Sequence, residues 1–157
     1  ACQSGGTGGL IYCGIDPGYR TGGVALLSGK WCELHDLPVF TENGVDCAGL
    51  IDILRSVEIE MCIIERQQAF PKQGGSSIFK LGMGYGQILA CLAAAKVPHR
   101  IVSPRKWKNA CNVPTDKDGA RRMAIQLYPN AAHDLKLKKH EHRAEALLMA
   151  SYGEALG

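Results

Sequence analysis

Two carboxylates stand where short apolar runs end. Asp16 closes LIYCGID just ahead of Pro17-Gly18, and Glu65 closes EIEMCIIE ahead of a polar stretch that begins at Arg66. Each run reads as a strand. If those strands are neighbours, the two carboxylates meet at one edge of a sheet, where they repel unless a hard divalent cation such as Mg²⁺ holds them together. A third segment, HEHRAEALLMASY, sets Glu141 and His142 four and three residues before Glu145, toward one helical face, in surroundings otherwise rich in Ala and Leu. Three segments then offer oxygen and nitrogen donors to one place. That is enough for two ions about 3.5–4 Å apart, one activating water and the other stabilising a leaving 3′ oxygen. Taken singly, each feature also has a plain reading: Asp before Pro-Gly is ordinary turn chemistry, a strand-end Glu is often only exposed, and a polar first turn suits a surface helix.

The elements that must position these groups follow from hydrophobic period. After Asp16 the runs GGVALLS and WCELHDLPVF read as two further strands joined by a short hairpin at Ser28-Gly29-Lys30, so the chain opens as an antiparallel meander. Leu50, Ile53 and Leu54 predict a helix over Asp46 to Val57, which crosses back to the strand ending on Glu65. Arg66 to Ser77 lacks period and reads as a loop. A long Ala/Leu/Gly helix follows from Ile78 to Lys96, then a short strand from Val97 to Val102, a basic loop PRKWKNACNVPT, a helix from Asp116 to Leu127 capped by Thr115, and a last helix from about His140 to Tyr152. Gly82, Gly84 and Gly86 in the long helix each cost about 1 kcal/mol relative to Ala, which points to close approach of another backbone. The expected class is α/β, a mixed central sheet flanked by helices, in one domain spanning residues 10–157.

The net charge of +3 hides an asymmetry. Arg66 to Lys139 holds 14 Lys and Arg against three acids, a local charge of +11, while the rest of the chain carries −8. A bias of that size suits a phosphate-binding face. The seven cysteines are an odd number with no C-x-x-C pair, which predicts free thiols in a reducing compartment rather than a zinc site or a disulfide framework. Ala1 to Gly9 is small and Gly/Ser-rich and reads as a disordered lead. No contiguous apolar run reaches membrane-spanning length and no signal peptide is legible, so the expectation is an intracellular protein without a membrane partner.

These stretches together resemble one family. GIDPGYRTGGVAL is similar to the first catalytic motif of the RuvC-type Holliday junction resolvases, IIER to the second and HRAEALLMASYG to the C-terminal acidic motif; LGMGYGQ, SPRKWK and PTDKDGARRMA resemble the segments between them. The match runs from about Ile11 to Gly153, and GMGYG with KKHEHRAEALL is nearest to the phage-borne members and the chloroplast resolvase of green plants. The resemblance implies a ribonuclease H-like fold, a homodimer acting on branched DNA, in particular four-way junctions, with two Mg²⁺ ions per site for which Mn²⁺ substitutes. It places the protein in the cytoplasm of a bacterium or phage-infected bacterium, or in an organellar stroma. Asp16, Glu65 and Glu145 match its metal-binding carboxylates, and His142 its fourth ligand. In the chloroplast-like branch the histidine stands four residues before the last acid, where this chain has Glu141, so either Glu141 or His142 fills that role. Lys108 and Lys117 match lysines that act at, or contact, the scissile phosphate; ordinary backbone contacts are the plainer alternative.

Phe70 is placed either to stack on an unpaired base or to anchor its loop to the core. Lys72, Lys80, Arg105, Lys106, Arg121, Arg122, Lys136, Lys138 and Lys139 are candidate phosphate contacts. Competing readings use the same residues: a ribonuclease H-like nuclease acting on RNA–DNA hybrids or other branched DNA, a strand transferase, or an inactive junction-binding protein. An actin-like phosphotransferase needs a second domain for which 157 residues leave no room.

Overall fold

The computed structural model describes residues 8–40 and 44–157; the proposed lead lies outside the described residues except for Gly8 and Gly9, which are exposed. Five strands form the main sheet: β1 (Ile11–Asp16), β2 (Gly23–Ser28), β3 (Trp31–Asp36), β6 (Ile59–Glu65) and β7 (His99–Val102), in the order β3-β2-β1-β6-β7. β1, β2 and β3 are antiparallel, whereas β6 and β7 run parallel to β1. The expected third strand is shorter than the run WCELHDLPVF. It stops at Asp36, and after Leu37-Pro38 the chain forms β4 (Val39–Phe40), paired with β5 (Gly44–Val45) in a separate ribbon. Proline has no N–H for a ladder and breaks the run there.

Alternation splits the core into two layers. Cys13, Ile15, Val24, Leu26, Cys62 and Ile64 face α1 (Cys47–Arg55) and α2 (Gly75–Ala94). Ala25, Leu27 and Ile63 face α3 (Pro104–Ala110), α4 (Gly119–Leu127) and α5 (Glu141–Leu156). A sheet covered on both faces explains why its middle strands read as continuous apolar runs rather than alternating ones.

Three expectations are corrected. The segment read as a basic loop contains α3, started by Ser103, whose Oγ accepts from the Lys106 amide at 3.3 Å, and by Pro104 in the first turn. α4 begins at Gly119 rather than Asp116, with Asp118 rather than Thr115 at its start in a left-handed conformation (φ 72°). α2 is, at 20 residues and mean hydropathy 1.2, long and apolar enough to cross a membrane by length and composition. Here it lays Ile88, Cys91 and Leu92 against the core. Gly84 packs toward the backbone of Gly18 and Tyr19 within the chain, whereas Gly82 and Gly86 face open space.

Candidate metal centre

The register Ile15↔Ile64 between parallel neighbours carries forward to set Asp16 beside Glu65, at the carboxyl ends of β1 and β6. In open α/β sheets this is the edge where ligands bind. α5 delivers the remaining groups because glycines let it lie directly on the strands. A Cβ on Gly14 would collide with the Ala146 carbonyl, and one on Gly23 with the His142 carbonyl. Close contact of helix and sheet at these two points brings the first turns of α5 over Asp16. No alanine fits at either position without moving the helix.

Ligand atoms of Asp16, Glu65 and Glu145 lie within 4.8 Å of one another. Asp16 and Glu65 are buried, and His142 Nδ1 is 2.6 Å from Asp16 Oδ2. The cluster is bracketed by two consecutive residues of α3. Trp107 Nε1–H donates to Glu65 Oε2 at 2.8 Å, and Lys108 Nζ donates to Glu145 Oε1 at 3.0 Å. Three acids converging in a part-buried site, with hard oxygen donors and an imidazole at the rim, fit a divalent cation. Asp16, Glu65 and Glu145 are the groups positioned to hold it, and His142 stands against Asp16.

The electrostatics carry the mark of crowding. Burial pushes the Glu145 carboxyl up to about 7, reinforced by the Asp16 charge and opposed by Lys108. Burial also raises Glu65, against the Trp107 hydrogen bond that favours its charged form. Burial disfavours the Lys108 ammonium, but its bond to Glu145 together with the charges of Glu145, Glu65 and Asp16 outweighs that and holds it above the usual lysine range. His142 is raised by its hydrogen bond to Asp16.

The sign for stability follows. Between the usual carboxyl value of 4.5 and about 7, unfolded Glu145 ionises before folded Glu145 does, so stability falls as pH rises through that window. His142, raised above 6.5, loses its contribution in the same direction as pH rises. Chelator-treated protein is therefore expected to be roughly 2 kcal/mol less stable at about pH 8 than at about pH 5.5. Glu145→Gln should remove most of that difference in urea titrations. An unchanged pH slope in the variant contradicts the assignment.

The other sequence-derived candidates scatter. Glu141 is half-buried and, among the described residues, makes no hydrogen bond, whereas His142 lies at the Asp16 carboxylate. Lys117 is exposed in the turn before α4 and forms no ion pair among the described residues. Phe70 is 61% exposed, which removes the core-anchor reading. Lys72, Arg105, Lys106, Lys136, Lys138 and Lys139 are exposed, and so is Lys80, whose Nζ lies 5.7 Å from the Tyr19 ring centroid.

Arg121 is a correction. Its guanidinium is tied to Asp118 at 2.7 and 2.9 Å and to the carbonyls of Leu135 and Lys136, so four of its five N–H donors hold the start of α4 to the following loop. Arg122 is exposed but forked onto Asp116. Sequence reasoning missed Trp107 altogether. The Ser-Pro start of its helix was the available signal.

No family profile and no curated protein sequence matches the chain. Solved structures do. The RuvC protein of Thermus thermophilus, in complex with a Holliday junction substrate, aligns at TM-score 0.68 and 19% identity over 94% of this chain and 96% of that one. The fowlpox virus Holliday junction resolvase aligns at 0.59 and 17%, over 94% and 100%. The yeast mitochondrial Holliday junction resolvase aligns at 0.58 and 14%, over 88% and 75%. The chain has the ribonuclease H-like fold in the form taken by these Holliday junction resolvases.

Proposed function

We propose that the protein is a divalent-metal-dependent endonuclease that resolves four-way DNA junctions as a homodimer. The observation that carries this is the convergence of Asp16, Glu65 and Glu145 at the carboxyl edge of the sheet, with His142 and Lys108 at its rim, in a fold shared with junction resolvases along nearly the whole chain. Bound there, a pair of Mg²⁺ ions supplies the polarised water and the charge neutralisation at the leaving 3′ oxygen that phosphodiester hydrolysis needs. The chain's own residues do the rest. Asp16 and Glu65 present oxygens from rigid strand ends, Glu145 and His142 complete the donor set from α5, and Lys108 brings a cation to where charge grows on the phosphate.

Phosphate contacts along Lys72, Lys80, Arg105 and Lys106 set register without reading sequence, and Phe70, exposed, serves as a stacking platform. The homodimer is supported by α2, which leaves Phe79, Gly82, Gly86, Ala90 and Ala93 exposed as a contiguous small and apolar face. Two sites fixed by such a dimer suit branched DNA better than linear duplex. The test is competition: with Ca²⁺ in place of Mg²⁺, the protein should retain a labelled four-way junction against a large excess of linear duplex and of RNA–DNA hybrid. Displacement by the hybrid at equal concentration favours the ribonuclease H reading instead.

His142 supplies a second check. A neutral imidazole accepts a metal ion and a protonated one does not. His142→Ala is expected to lower junction cleavage by about 10- to 100-fold, with His142→Asp restoring part of it and Glu141→Gln changing little. Loss of cleavage in Glu141→Gln together with full activity in His142→Ala moves the ligand by one residue and contradicts this reading of α5.

A further inference from the structure

We infer that Trp107 is a positioning residue for the metal centre: its indole N–H fixes the orientation of the Glu65 carboxylate so that the site is aligned before a cation arrives. This rests on the metal-centre reading above and extends it to a side chain that takes no part in the chemistry.

The case begins with burial. Trp107 is fully buried, heads the largest side chains of the core, and packs in the layer under α5 with Val102, Ala120 and Leu147. Indole is a donor only, and a buried N–H needs an acceptor. A core that required only volume is filled as well by Phe or Leu, which make no such demand. Here the acceptor is one oxygen of Glu65, at 2.8 Å.

That bond occupies one lone pair of Glu65 Oε2 and opposes rotation of the carboxylate, while a ligand oxygen of Glu65 stays within 4.8 Å of those of Asp16 and Glu145. Half-buried Gln67 also donates to Glu65, but more weakly, so without the indole N–H a carboxylate among like charges is freer to turn away. The next residue, Lys108, reaches Glu145 from the same helical turn. Glu65 therefore takes its orientation from α3, itself anchored by its Ser103 cap and by the Trp107 ring in the core, and the neutral indole, unlike the Lys108 cation, does not compete with a metal ion for its carboxylate. Outer partners of this kind orient metal ligands, and their removal typically weakens metal binding by about 10- to 100-fold.

Two readouts other than cleavage test this. In calorimetry with Mn²⁺ as the probe, Trp107→Phe should bind about tenfold more weakly than wild type. The second readout keeps Trp107 in place and so does not depend on how the variant folds. Trp31, the other tryptophan, pairs with Ser28 at the end of the sheet away from Asp16, so Trp31→Phe leaves Trp107 as the sole tryptophan, excited apart from the tyrosines at the red edge of the absorption band. Paramagnetic Mn²⁺ should quench that emission along the calorimetric binding curve, and Asp16→Asn should abolish the response.

Wild-type Mn²⁺ affinity in Trp107→Phe, or emission from Trp107 that ignores Mn²⁺ shown by calorimetry to be bound, overturns the inference and leaves Trp107 as packing. Absence of Mn²⁺ binding by the wild-type protein is a different failure, because it removes the metal centre itself.

Discussion

Asp16→Asn and Glu65→Gln are each expected to lower cleavage of a four-way junction by at least about a thousandfold, the loss that several kcal/mol of metal-borne transition-state stabilisation implies. Junction affinity measured in Ca²⁺ should change by no more than a few-fold, because phosphate affinity comes from the basic segment between Arg66 and Lys139 and not from the acids. The variants should also remain folded. Each removes a charge from a crowded, part-buried cluster in which burial raises Glu65 and Glu145, so their melting temperatures are expected to equal or exceed that of the wild type without metal. Parallel loss of binding and cleavage at fixed salt would show instead that these carboxylates hold the fold or the DNA.

The second large effect separates two lysines that are indistinguishable by residue type. Lys108 Nζ sits 3.0 Å from Glu145 inside the cluster, while Lys117 is exposed in the turn before α4. Lys108→Ala is expected to cost about 10²- to 10³-fold in the cleavage step, the effect of removing one preorganised donor from a transition state. Lys117→Ala is expected to weaken junction binding slightly and to make its salt dependence shallower by about one unit, as for a single phosphate contact. Single-turnover rates at saturating protein distinguish chemistry from binding here. Metal affinity provides the control: losing the Lys108 charge beside Glu145 should leave Mn²⁺ binding unchanged or tighter, so a slower reaction in Lys108→Ala cannot be assigned to a vacated metal site. Equal rates for the two variants contradict the separation.

Much of the fold was legible because burial wrote it plainly. β1 and β6 are covered on both faces, and their apolar runs end abruptly at Asp16 and Glu65, so the strand ends and the candidate ligands came from the same signal. Less local facts were not legible. That β1 and β6 are neighbours is set by helices packing on both faces, which no single window contains. Glu141 and His142 differ by about 100° of helix rotation, and only the close seat of His142 on Gly23 decides which of them faces Asp16.

α3 was hidden by its charges. Arg105, Lys106 and Lys108 suggest a loop, although Ser103-Pro104 is a recognised helix start and Trp107 faces inward from the middle of the helix. Arg121 failed for the opposite reason. Counted as one of a row of cations, it has Asp118 three residues earlier, and that pairing was available in the sequence as an i, i+3 ion pair. The glycines of α2 divided between two roles, since Gly84 is filled by the chain's own Gly18–Tyr19 turn and only Gly82 and Gly86 lie on the open face.

Cleavage of a synthetic four-way junction with each strand labelled in turn, in Mg²⁺, decides whether the protein resolves junctions. Nicks are expected at symmetric positions on two opposed strands, both made within one binding event, with no product when Mg²⁺ is withheld and none from Asp16→Asn. Cleavage that proceeds equally in chelator, or an intact junction beside rapid degradation of an RNA–DNA hybrid, would contradict metal-dependent junction resolution.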